Sequence, residues 1–268
     1  MALEARLLVV VDPTSDKHPT IDRVLQQMNA GLPHYQPEIT LLFAIDHSNT
    51  DTHASNPALF RDEHFLHKLA EPLRDLGLAT RIRISWSQDW ADSIIANAEA
   101  VDATTVLVAH PGETASKSLS DEYWHLIRHC PVPVGIIQSN AREDIAKTIV
   151  VSMDVQDSKL EGLNKRILKA GKLTAEMHGA ELHIINAYGD SSTYPDRAKI
   201  VAATGLANDH IHLKAGQPDE ALAEICKELN PELVIIGATR RTGIKAALRG
   251  RKIGQILKNI HRHVYVVT

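Results

Sequence analysis

The chain has 268 residues, 29 Lys and Arg against 33 Asp and Glu for a net charge of −4, two cysteines and 44% apolar residues. Divided near residue 140 it makes two domains of ordinary size, each able to bury a core without staples, and no apolar run approaches membrane-spanning length. A disulfide scaffold and a membrane span are thereby excluded, and Cys130 and Cys226 are expected to be inert packed thiols. Met1-Ala2-Leu3-Glu4-Ala5 shows no basic leader followed by an apolar core and a cleavage site, so the expected compartment is the cytoplasm.

In chain order, short β-branched runs fall at 6–12, 38–46, 80–86, 105–110 and 132–138. Helical patterns lie between them at 19–31, 58–77, 89–102 and 119–129. A short polar junction, Asn140-Ala141-Arg142-Glu143-Asp144, follows. Strands are then expected at 147–153, 181–187, 210–214, 232–237 and 263–267. The matching helices are 157–178, a weaker 195–204, 217–229 and 246–260.

The second series repeats the first. Leu7-Leu8-Val9-Val10-Val11-Asp12 returns as Ile149-Val150-Val151-Ser152-Met153-Asp154, and Val106-Leu107-Val108-Ala109 returns as Val234-Ile235-Ile236-Gly237. The offset is about 142 residues early and about 129 late, a length that marks a duplicated domain and not a solenoid unit. Strands alternating with helices imply right-handed crossovers, so the expected fold is α/β: two doubly wound, five-stranded parallel-sheet domains of Rossmann-like build, at 1–140 and 145–268. The last strands, near Pro131-Val132-Pro133-Val134 and His263-Val264-Tyr265-Val266-Val267, are expected as sheet edges in or near a pseudo-twofold pairing of the halves.

Open parallel sheets hold ligands beyond the carboxyl ends of their strands. Asp12 and Asp154 stand there after the first strand of each half. After the fourth strand come His110-Pro111-Gly112 and Gly237-Ala238-Thr239-Arg240-Arg241-Thr242-Gly243. From Leu233 to Thr268 there are eight basic residues and no acid, against a net −12 for the preceding 232 residues. Glycines that let backbone amides approach an anion, a following helix N-terminus and a basic surround make phosphate the natural ligand. Nucleic acid is disfavoured, because the body is acidic and no aromatic residues interleave the basic ones.

These residues resemble the universal stress protein family, whose fourth strand is followed by G-x2-G-x9-G-[ST] and whose first strand ends in Asp. The run from Gly237 to Arg251, with Gly254-Gln255-Ile256-Leu257 after it, is similar to that pattern. Trp124-His125-Leu126-Ile127-Arg128-His129-Cys130-Pro131-Val132-Pro133-Val134 resembles the family's passage into its last strand. The resemblance covers nearly the whole chain in two copies and implies an adenine nucleotide alpha-hydrolase-like fold. It also implies ATP or another phosphate-bearing ligand, with Asp154, Gly237 and Gly250 matching the family's motif; the candidate site is completed by Arg240, Arg241, Gly243 and Arg251. Arg240 stands where the second motif glycine falls and Arg251 where the final Ser or Thr falls, so side-chain guanidinium replaces backbone as the phosphate partner. Half one departs further: Ala109 replaces the first glycine, and Asp121 and Glu122 at a helix start repel phosphate.

No G-x-S-x-G, Walker loop, H-E-x-x-H or post-strand G-x-G-x-x-G occurs, so no enzyme is expected. His64 with His67, His125 with His129, and His210 with His212 lack a full ligand count, and no metal is expected. Trp86 and Trp90 are expected in packing. The connection Gly189–Asn208 is about 20 residues where half one has about 33. It is expected to expose Ile184, Ile185 and Val201 to an apolar ligand or partner. The sum is a stress-response binding or regulatory module whose partners are its own second half and a small molecule or regulatory protein. The alternative is a nucleotide-independent adaptor or lipophilic-ligand carrier.

Overall fold

The computed structural model describes residues 5–13, 15–31, 35–45, 63–110, 119–139, 147–189, 192, 194–239, 254–257 and 259–268. Two compact units emerge, one of Met1–Gly112 with Ser120–Ser139, the other of Asn140–Thr268 with Glu113–Leu119.

The first unit holds β1 (Arg6–Val11), β2 (Glu38–Ile45), β3 (Thr80–Trp86), β4 (Thr105–Ala109) and β5 (Val134–Ile137). Their order is β3-β2-β1-β4-β5, with every pair parallel: Leu7 faces Ile39, Leu8 faces Val106, and Val106 faces Val134. Its helices are α1 (Pro19–Asn29), α2 (Glu63–Asp75), α3 (Trp90–Ala100) and α4 (Asp121–His129). The second unit repeats this with β6 (Thr148–Ser152), β7 (Glu181–Tyr188), β8 (Ile211–Ala215), β9 (Leu233–Gly237) and β10 (His263–Val267), in the order β10-β9-β6-β7-β8. Its helices are α5 (Glu161–His178), entered through a 3-10 turn at Ser158–Leu160, α6 (Arg197–Thr204) and α7 (Pro218–Leu229). Residues 254–257 and 259–260 are helical too, while the expected starts of that helix at 246–253 and of α2 at 58–62 lie outside the described residues.

Local chemistry explains the element ends. Proline opens α1 and α7, where its missing N–H is no loss. The Asp89 and Asp196 carboxylates accept backbone amides at the starts of α3 and α6. Gly179, Gly205 and Asn230 take the left-handed conformation that closes α5, α6 and α7.

The inner strands are continuous apolar runs because helices cover both faces, whereas β3 and β8 alternate apolar and polar residues. In the second unit, Ile149, Val151, Leu182, Ile184, Leu233 and Ile235 bury one face against Leu163 and Ile167 of α5. Each such side chain contributes about 1.5–3 kcal/mol by leaving water. The helix sits close because glycines stand on both sides of the contact. A Cβ on Gly171 of α5 would lie 2.5 Å from Val151 Cγ2, and one on Gly237 of β9 would lie 2.6 Å from Ile167 Cδ1.

Two expectations are corrected. Ile184 and Ile185 are buried, at 0% and 1% exposure, because the short connection after β7 leaves the strand itself under α5 and α7; Val201 is half-buried. Trp86 and Trp90 also part company. Trp90 is buried with its ring 5.0 Å from that of Tyr123, whereas Trp86, on the end strand β3, is 63% exposed. Cys130 and Cys226 are buried thiols, and burial pushes the Cys226 thiol up to about 12, which makes it unreactive.

Candidate functional site

In the second unit the loop after β6 is drawn back over the sheet by two asparagines. Asn164 of α5 donates to the Asp154 carbonyl at 2.7 Å and accepts from its amide at 3.4 Å. Asn186, fully buried at the end of β7, accepts from the Val155 amide at 2.9 Å and donates to the Gln156 side chain at 3.0 Å. The Asp154 carboxylate accepts from the amides of Gln156 and Asp157 with one oxygen, both at 3.3 Å. That oxygen closes the turn, and the residue itself is exposed.

Beside this loop lies a cavity of about 640 Å³ between α5 and α6, within the size range of small-molecule sites. Met153, Val155, Leu168, Pro195, Ile200 and Ala203 give it an apolar interior. Its charged lining is already paired: Lys165 reaches Glu161 at 2.6 Å and Lys199 reaches Asp196 at 3.8 Å, while Asp157 accepts from the Lys159 amide. The Lys165 charge and hydrogen bond hold the Glu161 carboxyl below its usual range. Arg197 anchors α6 by donating to the Asn208 and Ile211 carbonyls, so the outer wall is tied to β8.

Of the residues expected at a phosphate site, Asp154 and Gly237 are placed at the carboxyl ends of β6 and β9. Gly237 serves at least to admit Ile167 and Leu163. Arg240, Arg241, Gly243, Gly250 and Arg251 lie outside the described residues.

The first unit ends differently. Tyr123 of α4 donates from its hydroxyl to the Ala109 carbonyl at 2.8 Å, at the carboxyl end of β4. Burial, with the Asp12 charge second, pushes this phenol far above its ordinary range. The aromatic ring therefore fills the end of the strand where the repeat places the first motif residue. α4 opens with Asp121 and Glu122 in its first turn, as expected. Tyr123, Asn164 and Asn186 were not singled out from the sequence. Tyr123 stands at helical spacing with Leu126 and Ile127 and reads as core, and the asparagines become latches only once β6 and β7 are paired.

Five parallel strands in the same order in each unit, with the connections diverging after β1 and β4 and after β6 and β9, define a duplicated nucleotide-cradle fold of Rossmann type. The model of the universal stress protein family matches residues 5–138 and 196–268, and the chain belongs to that family as a tandem member. Universal stress protein E of Escherichia coli strain K12 is 24% identical over 302 aligned positions, covering 100% of this chain and 95% of the relative. A crystal structure of a universal stress protein from Pseudomonas aeruginosa superposes with a TM-score of 0.73 at 22% identity, over 99% of this chain and 94% of the other. One from Archaeoglobus fulgidus gives 0.73 at 19%, over 98% and 96%.

Proposed function

We propose that this tandem universal stress protein is a non-catalytic binding and regulatory module in which the copy at 145–268 holds the ligand and the copy at 1–140 serves as scaffold. The observation that carries the reading is the cavity between α5 and α6, whose interior is apolar and whose described rim cations already face carboxylates. Such a site favours a ligand with an apolar body, since burying apolar surface returns free energy without leaving an ionic group unpaired. Mass spectrometry of small molecules extracted from purified full chain tests it. An apolar compound in near-stoichiometric amount is expected from the parent protein and not from an Ala203→Trp variant; its absence from the parent rejects the reading.

A second reading rests on a separate observation, the acid-free segment from Leu233 to Thr268 with its glycine loop. Here the ligand bears phosphate, as ATP does, and is held by Asp154, Gly237, Arg240, Arg241, Gly243, Gly250 and Arg251. Calorimetry with ATP, repeated on Arg251→Glu and Asp154→Ala, separates the two. Saturable heat that both substitutions weaken supports phosphate; none from the parent protein rejects it.

A further inference from the structure

We propose that Glu181, His183 and His210 form a binding site for a divalent transition-metal ion, zinc above all, at the amino ends of β7 and β8. The site lies at the opposite end of the strands from the crevice beside Asp154 and does not depend on either reading of that crevice.

The placement follows from strand geometry. Side chains two apart on a strand share a face, so Glu181 and His183 project together from β7. The parallel register sets Ile184 against Ile211 and Ile185 against His212, which brings His210 beside His183 and His212 one step further along. The rings of His183 and His210 stack with centroids 4.4 Å apart, and those of His183 and His212 lie 5.3 Å apart. One ligand-capable atom from each of Glu181, His183 and His210 falls within 4.8 Å of the others, the one such grouping of three among the described residues. Zinc at about 2.0–2.1 Å from each of four tetrahedral ligands sets those ligands about 3.4 Å apart. The gap from His183 Nε2 to Glu181 Oε2 is 3.6 Å, too long for a hydrogen bond and suited to a bridging ion.

Hydrogen bonds on the far side of the imidazole rings aim the lone pairs. His210 Nδ1 is 3.1 Å from the Leu182 carbonyl, an acceptor only, so this nitrogen carries the proton and Nε2 is left as a ligand. His183 Nδ1 is 3.0 Å from His212 Nε2. In the tautomer in which Nδ1 donates, Nε2 turns its lone pair toward the Glu181 carboxylate, and a cation between the two satisfies both. His212 is thus a positioning residue.

Burial first, and the neighbouring imidazole second, hold His183 and His212 below the usual imidazole range, in the neutral form that ligates metal. Glu181 and Asp209 supply negative charge, while Lys214 is taken up by Glu224 and Glu228 of α7, both at 2.8 Å. His183 is buried, His210 half-buried and Glu181 exposed, so the ion can enter from solvent and keep a water as its fourth ligand. Two imidazoles with one carboxylate select zinc, cobalt or nickel over magnesium and calcium.

The test is calorimetric titration of metal-free full chain with zinc chloride, alongside visible absorption on adding cobalt(II) chloride. One tight zinc ion per chain is expected, with a tetrahedral cobalt spectrum. Affinity should fall at least about tenfold in His183→Gln and His210→Gln, and about tenfold in His212→Gln through lost orientation. Glu181→Gln changes an exposed side chain, so it should weaken zinc about tenfold while leaving the metal-free melting temperature unchanged. His125→Gln, which alters a stacked histidine pair on α4, should leave binding intact. The proposal is overturned by no saturable zinc binding in the parent, by parent-like zinc affinity in Glu181→Gln or His210→Gln, or by loss of the tight ion in His125→Gln.

Discussion

At the carboxyl end of β4 the buried Tyr123 phenol closes on the Ala109 carbonyl, whereas at the end of β6 the loop is latched back by Asn164 and Asn186 and an apolar cavity opens beside it. Both ends belong to one repeated fold, the end of β4 matching that of β9 and the end of β6 matching that of β1. What separates them is the company of the strand ends. One helix delivers an aromatic ring into its crevice; the other unit combines a long α5 with a short α6 of eight residues that stands off from it. A duplicated fold can thus close one strand end with a ring and leave a cavity beside another without altering strand order.

The largest effect that would break this comparison is expected at Tyr123. Tyr123→Ala removes a buried ring from the first unit and should cost about 3–5 kcal/mol in urea unfolding, as large aromatic truncations do. A cost below about 1 kcal/mol would mean that the ring does not fill its crevice.

Glycine substitutions come next. Gly171→Ala sets a Cβ against the stiff, branched Val151 and should cost about 1–3 kcal/mol. Gly237→Ala meets mainly the mobile ends of Ile167 and Leu163 and should cost less, on the order of 1 kcal/mol, in keeping with Ala109 at the matching place in half one. Thermal melting of the two variants checks the order, and a larger loss at Gly237 would reverse it. Tyr123→Phe is smaller still: it deletes one hydrogen bond to the Ala109 carbonyl, worth about 1 kcal/mol.

The finest test is by pH. Burial lowers the pKa of His18, ahead of α1, and of His110, after β4, from the ordinary 6.5. The unfolded chain then binds more protons than the folded one as pH falls past 6.5, so stability is full above that value and declines below it. Unfolding midpoints taken from pH 8 to pH 5 should drop on the acid side, and His110→Gln should flatten the slope. An unchanged slope would remove His110 from the account.

Much of this was legible in the sequence. All ten strands fall within two residues of their expected ends, because the inner ones are continuous apolar runs and β3 and β8 alternate apolar and polar residues. The family followed from the glycine-rich run after β9 and the Cys-Pro-Val-Pro passage before β5. The open site was half legible: the short connection after β7 signalled missing cover, but the gap fell between α5 and α6 and not over Ile184 and Ile185. Which strand residues sit under a helix depends on how that helix crosses, which no local pattern carries. The Glu181, His183 and His210 cluster needed the register of β7 on β8 across the Gly189–Asn208 connection. His210 and His212 alone look like a chance pair until β7 supplies two more side chains.

The central claim is that the second copy holds an open apolar site between α5 and α6, whereas Tyr123 closes the end of β4 in the first. Titration of the full chain with a neutral apolar fluorophore, N-phenyl-1-naphthylamine, tests it most directly. Saturable binding at one site per chain is predicted, abolished by Ala203→Trp and untouched by Tyr123→Phe. No saturable enhancement, or binding that survives Ala203→Trp, would contradict it.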